Sequence, residues 1–215
     1  MTSIKALTLL SSVLITLFLT GCSAPPSYNY DALQASEPRS ILIIPPKNNS
    51  VEVNAPYIYL STISRPFGEK GYYVFPVAVI DAFLKENGLP TPEEMNFVPL
   101  DKLYEHIGAD AVLYTEINDW GQKYKILSSE TVVDVSMTLI DGKTGALLWN
   151  ARASAVRSSD SGGGGLLGNL INAVATQIIN SYSDQTPTVA RAANNLAINQ
   201  PSRGLLNGPY ALPKE

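Results

Sequence analysis

The sequence predicts a single α/β domain, a mixed sheet with an antiparallel meander and helices packed on it. Early in the chain, short apolar runs stopped by Gly or Pro alternate with segments of helical spacing. Between Tyr124 and Val156 the apolar period changes to two, and beyond Gly165 helical spacing returns. The balance of 15 Lys plus Arg against 19 Asp plus Glu, a formal charge of -4 with no basic run, excludes a phosphate-backbone partner, so no nucleic acid is expected. One cysteine rules out a disulfide framework within the chain.

Residues 1–21 read as a lipoprotein signal peptide. Lys5 supplies the positive start, and Ala6 to Leu19 an apolar stretch broken only by Ser and Thr, shorter than the roughly 20 residues of a membrane span. Leu19-Thr20-Gly21-Cys22 resembles the lipobox of bacterial lipoproteins. The resemblance implies cleavage before Cys22, a diacylglycerol thioether on its sulfur and an acyl chain such as palmitate on its new amino group. At about 0.8 kcal/mol per buried methylene, two or three long chains make a stable anchor where one short chain does not. A cleaved secretory signal with a free thiol is the alternative, and it would leave that thiol open to exchange in an oxidising compartment. Ser23 stands where, in the best-known sorting system, an Asp holds a lipoprotein in the inner membrane, so the cell outer membrane is expected, with the domain facing the periplasm.

Residues 22–39, with Pro25, Pro26 and Pro38, are expected to be a flexible linker lifting the domain off the bilayer, and residues 40–198 the domain itself. Ser40 to Ile44 is an apolar run ended by Pro45-Pro46, which suits a central strand. Asn48-Asn49-Ser50 is a polar turn, and Tyr57 to Phe67 is expected to be helical with Pro66 near its end. Tyr72 to Phe75 reads as a strand stopped by Pro76. Val77, Ile80, Phe83 and Leu84 then mark a helix ended near Gly88. Thr91-Pro92-Glu93-Glu94 has the pattern of a capping box with Pro at the first helical position. A helix from about Leu100 to Ile107 follows, with Leu103, Tyr104 and Ile107 on one side and Gly108 at its end, and then a strand from Asp110 to Ile117.

In the meander, Val133, Val135, Met137 and Leu139 alternate with polar residues. Leu147, Trp149, Ala151, Ala153 and Ala155 do the same across an Asp141 to Gly145 turn. Gly162 to Gly165 read as a flexible hinge. Leu167, Leu170, Ile171, Val174, Ile178 and Tyr182 form an apolar stripe that packs on the sheet or meets a membrane or neighbouring protein. A helix from Thr186 to about Ile198 and an irregular tail, residues 199–215, complete the chain.

The search for chemistry yields no catalytic, cofactor or metal site. With His106 alone, neither a Ser-His-Asp triad nor a two-histidine zinc site can be assembled. Gly162 to Gly165 lack the Lys-Ser or Lys-Thr pair of a phosphate loop. Asp81, Glu116, Asp119 and Asp134 could converge as a glycosidase pair, but nothing in their spacing favours it. The tyrosines Tyr57, Tyr59, Tyr72, Tyr73, Tyr104, Tyr114 and Tyr124 suit core and interface better than a sugar platform.

Several stretches together carry a wider resemblance: Ile41-Leu42-Ile43-Ile44-Pro45-Pro46-Lys47-Asn48, Asn54-Ala55-Pro56-Tyr57, Gly71 through Val77, Gly108-Ala109-Asp110-Ala111, Leu127 through Val133, and Leu148-Trp149. They resemble an uncharacterised bacterial lipoprotein family known from a neisserial surface antigen, whose genes often lie beside a homologue of the curli secretion channel. The resemblance implies a fold shared with the amino-terminal domain of the Tol-system propeller protein, and with parts of the curli channel and of a lipoprotein activator of peptidoglycan synthases. It implies no catalytic residue and carries over only Cys22.

The expectation is therefore a non-enzymatic, lipid-anchored periplasmic adaptor or accessory subunit of a curli-like secretion system. The alternatives are an activator of a peptidoglycan synthase and, with only unassigned carboxylates behind it, an envelope hydrolase. Expected partners are membrane lipid through Cys22 and either a curli-channel-like lipoprotein or a synthase, with homo-oligomerisation open.

Overall fold

The computed structural model describes residues 28–124, 129–158 and 184–213. The leader, Cys22, the glycine hinge and the Leu167 to Tyr182 stripe lie outside the described residues.

The chain folds as α1 (Asp31–Ser36), β1 (Ser40–Ile43), β2 (Lys47–Asn48), α2 (Ala55–Glu69), β3 (Tyr73–Val74), α3 (Val77–Glu86), α4 (Pro92–Met95), α5 (Leu100–Ile107), β4 (Ala111–Tyr124), β5 (Ser129–Asp141), β6 (Leu147–Ser158) and α6 (Thr186–Ile198). The strands make one open mixed sheet in the order β3-β1-β4-β5-β6, with β2 continuing the line of β1 along β4. β1 pairs in parallel with β3 and β4, whereas β4, β5 and β6 are antiparallel. This is the expected fold class, and β1 is the expected central strand.

The burial of β1 explains its composition. Ile41 and Ile43 join the larger core with α1, α2 and α6, while Leu42 and Ile44 face a smaller core with α3, α4 and α5. A strand wetted on neither face needs an apolar residue at every position. The larger core is pinned by two edge-to-face aromatic pairs, Tyr59–Trp120 and Phe67–Trp149, with centroids 6.1 and 6.3 Å apart. α6 lies on β6 and against α2, where Ala153 and Ala155 on the strand and Ala190 and Ala193 on the helix leave room for close approach.

Three details depart from the sequence reading. β4 does not stop at Ile117. Asn118 is an extra residue in the ladder, so that Ile117 pairs with Val135 and Asp119 with Asp134. The bulge shifts the alternation by one residue and returns Trp120 to the core face, which hides the strand's second half from a strict period-two search. A second irregularity sets Leu139 opposite Trp149 but Ile140 opposite Leu147. Leu148 is consequently buried and Leu147 half exposed, the reverse of the expected alternation. On α3, Ile80 and Leu84 are buried, but Phe83 remains partly exposed.

The ends of the described chain are fastened down. From Tyr28 on, the stretch read as linker is packed: Leu33 of α1 is buried, and the Tyr28 hydroxyl accepts from the Asn150 amide at 2.9 Å. The Tyr30 hydroxyl donates to the Gly204 carbonyl at 2.6 Å. The carboxyl-terminal residues are irregular in backbone yet bound to the domain. The Gly208 amide donates to the Lys70 carbonyl at 2.7 Å, and the Tyr210 amide to the Gly71 carbonyl at 3.0 Å. Gly71 sits at φ +84°, and a Cβ there would lie 2.0 Å from the Ala211 nitrogen, so both the turn and the crossing strand demand glycine.

Candidate functional site

The four candidate carboxylates, Asp81, Glu116, Asp119 and Asp134, are each engaged by a neighbouring side chain or amide. Asp81 pairs with Lys85 on α3 at 2.7 Å, and Lys85 also lies 4.6 Å above the Tyr57 ring. Glu116 accepts from the Asn49 side chain at 2.7 Å. Asp119 caps the Trp120 amide at 2.8 Å and pairs with Lys123. Asp134 takes a bidentate grip from Arg152 and contacts Asn118. The Arg152 hydrogen bonds hold the Asp134 carboxyl below the usual carboxylate range, the opposite of what a general acid needs. Of the four, Asp119 and Asp134 stand opposite each other on β4 and β5, each paired with its own cation, while Glu116 and Asp81 are bonded elsewhere. His106 is exposed on the last turn of α5, with no second histidine in the chain. Among the described residues no group of three or more His, Cys, Asp or Glu is placed to hold a metal ion.

What the described surface does present is a braced apolar rim beyond the carboxyl end of β2. After β2 the chain turns through residues 49–54 before entering α2, and this loop is tied at nearly every polar group. The Asn49 amide donates to the Ile117 carbonyl at 2.9 Å. The Asn48 side chain accepts from the Ser50 amide and hydroxyl at 3.1 and 2.7 Å, and donates to the Glu52 carbonyl at 2.9 Å. Glu52 in turn accepts from the Asn54 amide at 3.2 Å through its carboxylate and from the Ala55 amide at 3.1 Å through its carbonyl. Asn48, Asn49 and Ser50 favour such local side-chain bonds, and these rigidify the turn without a regular element.

The bracing holds two β-branched residues in water: Val51 is 95% exposed and Val53 79%. At the end of α4, Asn96 ties the chain to the β1–β2 link by donating to the Pro45 carbonyl at 2.8 Å. The next residue, Phe97, is 76% exposed, with the Lys47 ammonium 5.1 Å from its ring centroid. Single exposed apolar residues are ordinary, but two β-branched ones on one hydrogen-bonded loop form a surface suited to burial by a partner, because little conformational entropy remains to be lost on docking. Sequence reasoning identified the polar turn and overlooked Val51 and Val53. The available signal was a pair of β-branched residues alternating with Glu52 where turns carry Gly, Asn or Ser.

None of the described helices is long and apolar enough to cross a bilayer. Cys22 lies outside the described residues, six positions before Tyr28.

Comparison with known proteins adds what the surface cannot. Residues 28–210 match the family model described as "Putative lipoprotein GNA1162-like". The lipoprotein NMB1124/NMB1162 of Neisseria meningitidis serogroup B is 39% identical over 196 residues, covering 90% of this chain and 91% of that one. The crystal structure of lipoprotein GNA1162 from Neisseria meningitidis superposes with a TM-score of 0.56 at 41% identity, covering 67% of this chain and all of that one. A looser likeness, with a TM-score of 0.46 at 16% identity, is to the PelC dodecamer from Paraburkholderia phytofirmans, covering 86% of this chain and 95% of that one.

Proposed function

Because the chain belongs to the GNA1162-like lipoprotein family, we propose that it is a non-enzymatic adaptor held at the periplasmic side of the outer membrane by lipid on Cys22. In this reading the rim formed by Val51, Val53 and Phe97 docks a protein subunit of a curli-like secretion channel. The braced exposure of the two valines carries the proposal, since a loop bonded at this density displays apolar groups at a fixed geometry. The separate engagement of the carboxylates supports a binding role over a hydrolytic one.

The alternative of a synthase activator needs a tether that reaches from the outer membrane to the synthase, and the proline-bearing linker is the feature that would supply it. From Cys22 to Tyr28 the chain has six residues, which span at most about 20 Å at roughly 3.3–3.6 Å each. So short a tether favours a partner at the membrane surface over one deep in the envelope.

The test is photo-crosslinking from a benzophenone amino acid at position 53 of the acylated protein in intact envelopes. A channel-forming lipoprotein in the adduct supports the adaptor reading, and a penicillin-binding protein supports the alternative. The reading fails if the same adducts survive in a Val51→Ser, Phe97→Ser background.

A further inference from the structure

We propose that the side of β6 around Arg203, which pairs with no further strand among the described residues, rests on the bilayer, with the Arg203 guanidinium holding the phosphate of a phospholipid headgroup. The inference deepens the functional reading and rests on its assignment of lipid to Cys22.

The tether limits the geometry. Six residues allow Tyr28 to stand no more than about 20 Å from the lipidated cysteine. Tyr28 is not free to extend that reach, because its hydroxyl is fixed on the Asn150 amide of β6 and its ring lies 4.8 Å from that of Tyr30. The part of the domain that must stay near the headgroups is therefore the β6 edge where the tether enters.

Arg203 stands at that point, exposed and already oriented. Its carbonyl accepts from the Trp149 indole at 2.9 Å, its guanidinium lies 5.4 Å from the Tyr28 centroid, and one terminal nitrogen donates to the Asn150 side chain at 2.9 Å. Among the described residues no carboxylate pairs with it. The same terminal nitrogen also reaches the Asn150 carbonyl at 3.4 Å, so a guanidinium set over an aromatic ring and held at one corner keeps the N–H groups of its other two nitrogens for phosphate oxygens. Half-exposed Leu147 opens the same strand, and tyrosines beside it suit the interfacial zone, where rings with an apolar body and a polar tip collect. With a net charge of -4 the chain is not drawn to an anionic surface as a whole, so the contact has to be local.

The sheet makes this contact consequential. β2 pairs with β4, and two further strands separate β4 from the outer side of β6. Three strand spacings of about 4.8 Å place the Val51 and Val53 loop roughly 14 Å across the sheet from the β6 edge. A domain seated on β6 stands on edge and turns its rim away from the lipid.

The experiment uses the acylated full chain in vesicles of phosphatidylethanolamine and phosphatidylglycerol. Lipid occupies the only native thiol, so Ser202→Cys and Val53→Cys each accept a single spin label. A nickel chelate carried on a lipid headgroup should relax the label at 202 at least fivefold more strongly than the label at 53. Adding Arg203→Glu should remove most of that difference, while Arg203→Lys should keep part of it and millimolar inorganic phosphate should leave it intact. Equal relaxation at the two positions, indifference to Arg203→Glu, or displacement by free phosphate would overturn the proposal. Failure of the premise is distinguishable: a Cys22→Ala protein that is still processed and floats with vesicles removes the anchor itself.

Discussion

Asp141 offers the sharpest test of how the tether end of the domain is held together. It sits at the first corner of the β5–β6 turn, 9% exposed, and accepts from the Lys143 amide at 3.0 Å, the Thr144 amide at 2.8 Å and the Thr144 hydroxyl at 2.9 Å. Its other oxygen accepts from Ser36, the last residue of α1, at 2.5 Å. Burial alone would raise the carboxyl, but the donors from Ser36, Thr144 and Lys143 outweigh it and hold the group below its ordinary value. Hydrogen bonds to a charged group are worth about 1.5–3 kcal/mol each, yet four on one carboxylate do not add, and the exposed turn amides regain water once it is gone. Asp141→Ala should therefore cost about 2–4 kcal/mol, and Asp141→Asn, which keeps an acceptor and loses the charge, about 1–2 kcal/mol.

The pH dependence follows from the direction of the shift. A carboxyl that is more acidic folded than unfolded contributes stability in full above its unfolded value of about 3.9, and loses it as pH falls through the lower folded value. Urea unfolding followed by the fluorescence of Trp120 and Trp149 should show the wild-type advantage over Asp141→Asn constant from pH 7 to about 5 and shrinking below about 4. Asp134, also lowered, titrates in both proteins and cancels. An advantage as large at pH 3 as at pH 7, or an Asn variant as unstable as the Ala one, would refute this account of the turn.

Gly142 is expected to be intolerant of a methyl group, because a Cβ there would lie 2.4 Å from the Ala109 carbonyl oxygen while the Gly142 amide donates to Asp110 at 2.7 Å. Gly142→Ala should cost about 2–3 kcal/mol in thermal unfolding, against about 1 for Gly145→Ala, where the only penalty is a φ of +72°. The Tyr72 hydroxyl donates to the Leu206 carbonyl at 3.0 Å, and burial pushes its pKa up to about 12. Its contribution is thus fully present below pH about 10 and lost as pH rises toward 12, so Tyr72→Phe should flatten the alkaline limb of the stability profile and cost about 1 kcal/mol at neutral pH. The double change Val51→Ser, Phe97→Ser should alter stability by under about 0.5 kcal/mol per site while abolishing crosslinks from position 53.

Much of the fold was legible because local and tertiary demands agree. The all-apolar Ile41 to Ile44 run could only be a strand buried on both faces, and Thr91 with Glu94 closes the capping box its spacing requires, with bonds of 3.3 and 3.1 Å. Legibility failed where one residue broke a period. Asn118 and Leu148 are inserted into ladders, and periodicity cannot see an insertion that pairing across the sheet enforces. It failed again at residues 28–39, where Pro38 and polar neighbours suggested linker. Tyr28 and Tyr30 find their hydrogen-bond partners 122 and 174 residues away, a distance at which sequence pattern carries no signal. The rim was half legible: the polar residues announced a turn, and only the bonds among them reveal that Val51 and Val53 are held out in water.

The ordering of residues 28–36 changes what the lipid can do. A domain on a long tether samples many orientations, and its partner must select one of them at an entropic cost. With lipid on Cys22, as proposed, six residues separate the anchor from Tyr28, which docks beside a hairpin whose turn is tied to α1 through Ser36 and Asp141. On that proposal α1 and the β5–β6 turn are held as one unit, and any change that frees α1 lengthens the tether. Releasing residues 28–36 would add nine residues, about 30 Å of reach, and would uncouple the rim from the membrane normal. Ser36→Ala removes one donor to Asp141 without touching either the rim or Cys22. It should leave acylation and fold intact and yet broaden the range of distances measured by pulsed spin-label methods between position 53 and the bilayer. An unchanged distribution would mean that packing of Leu33, not the Ser36 hydrogen bond, fixes the domain's stance.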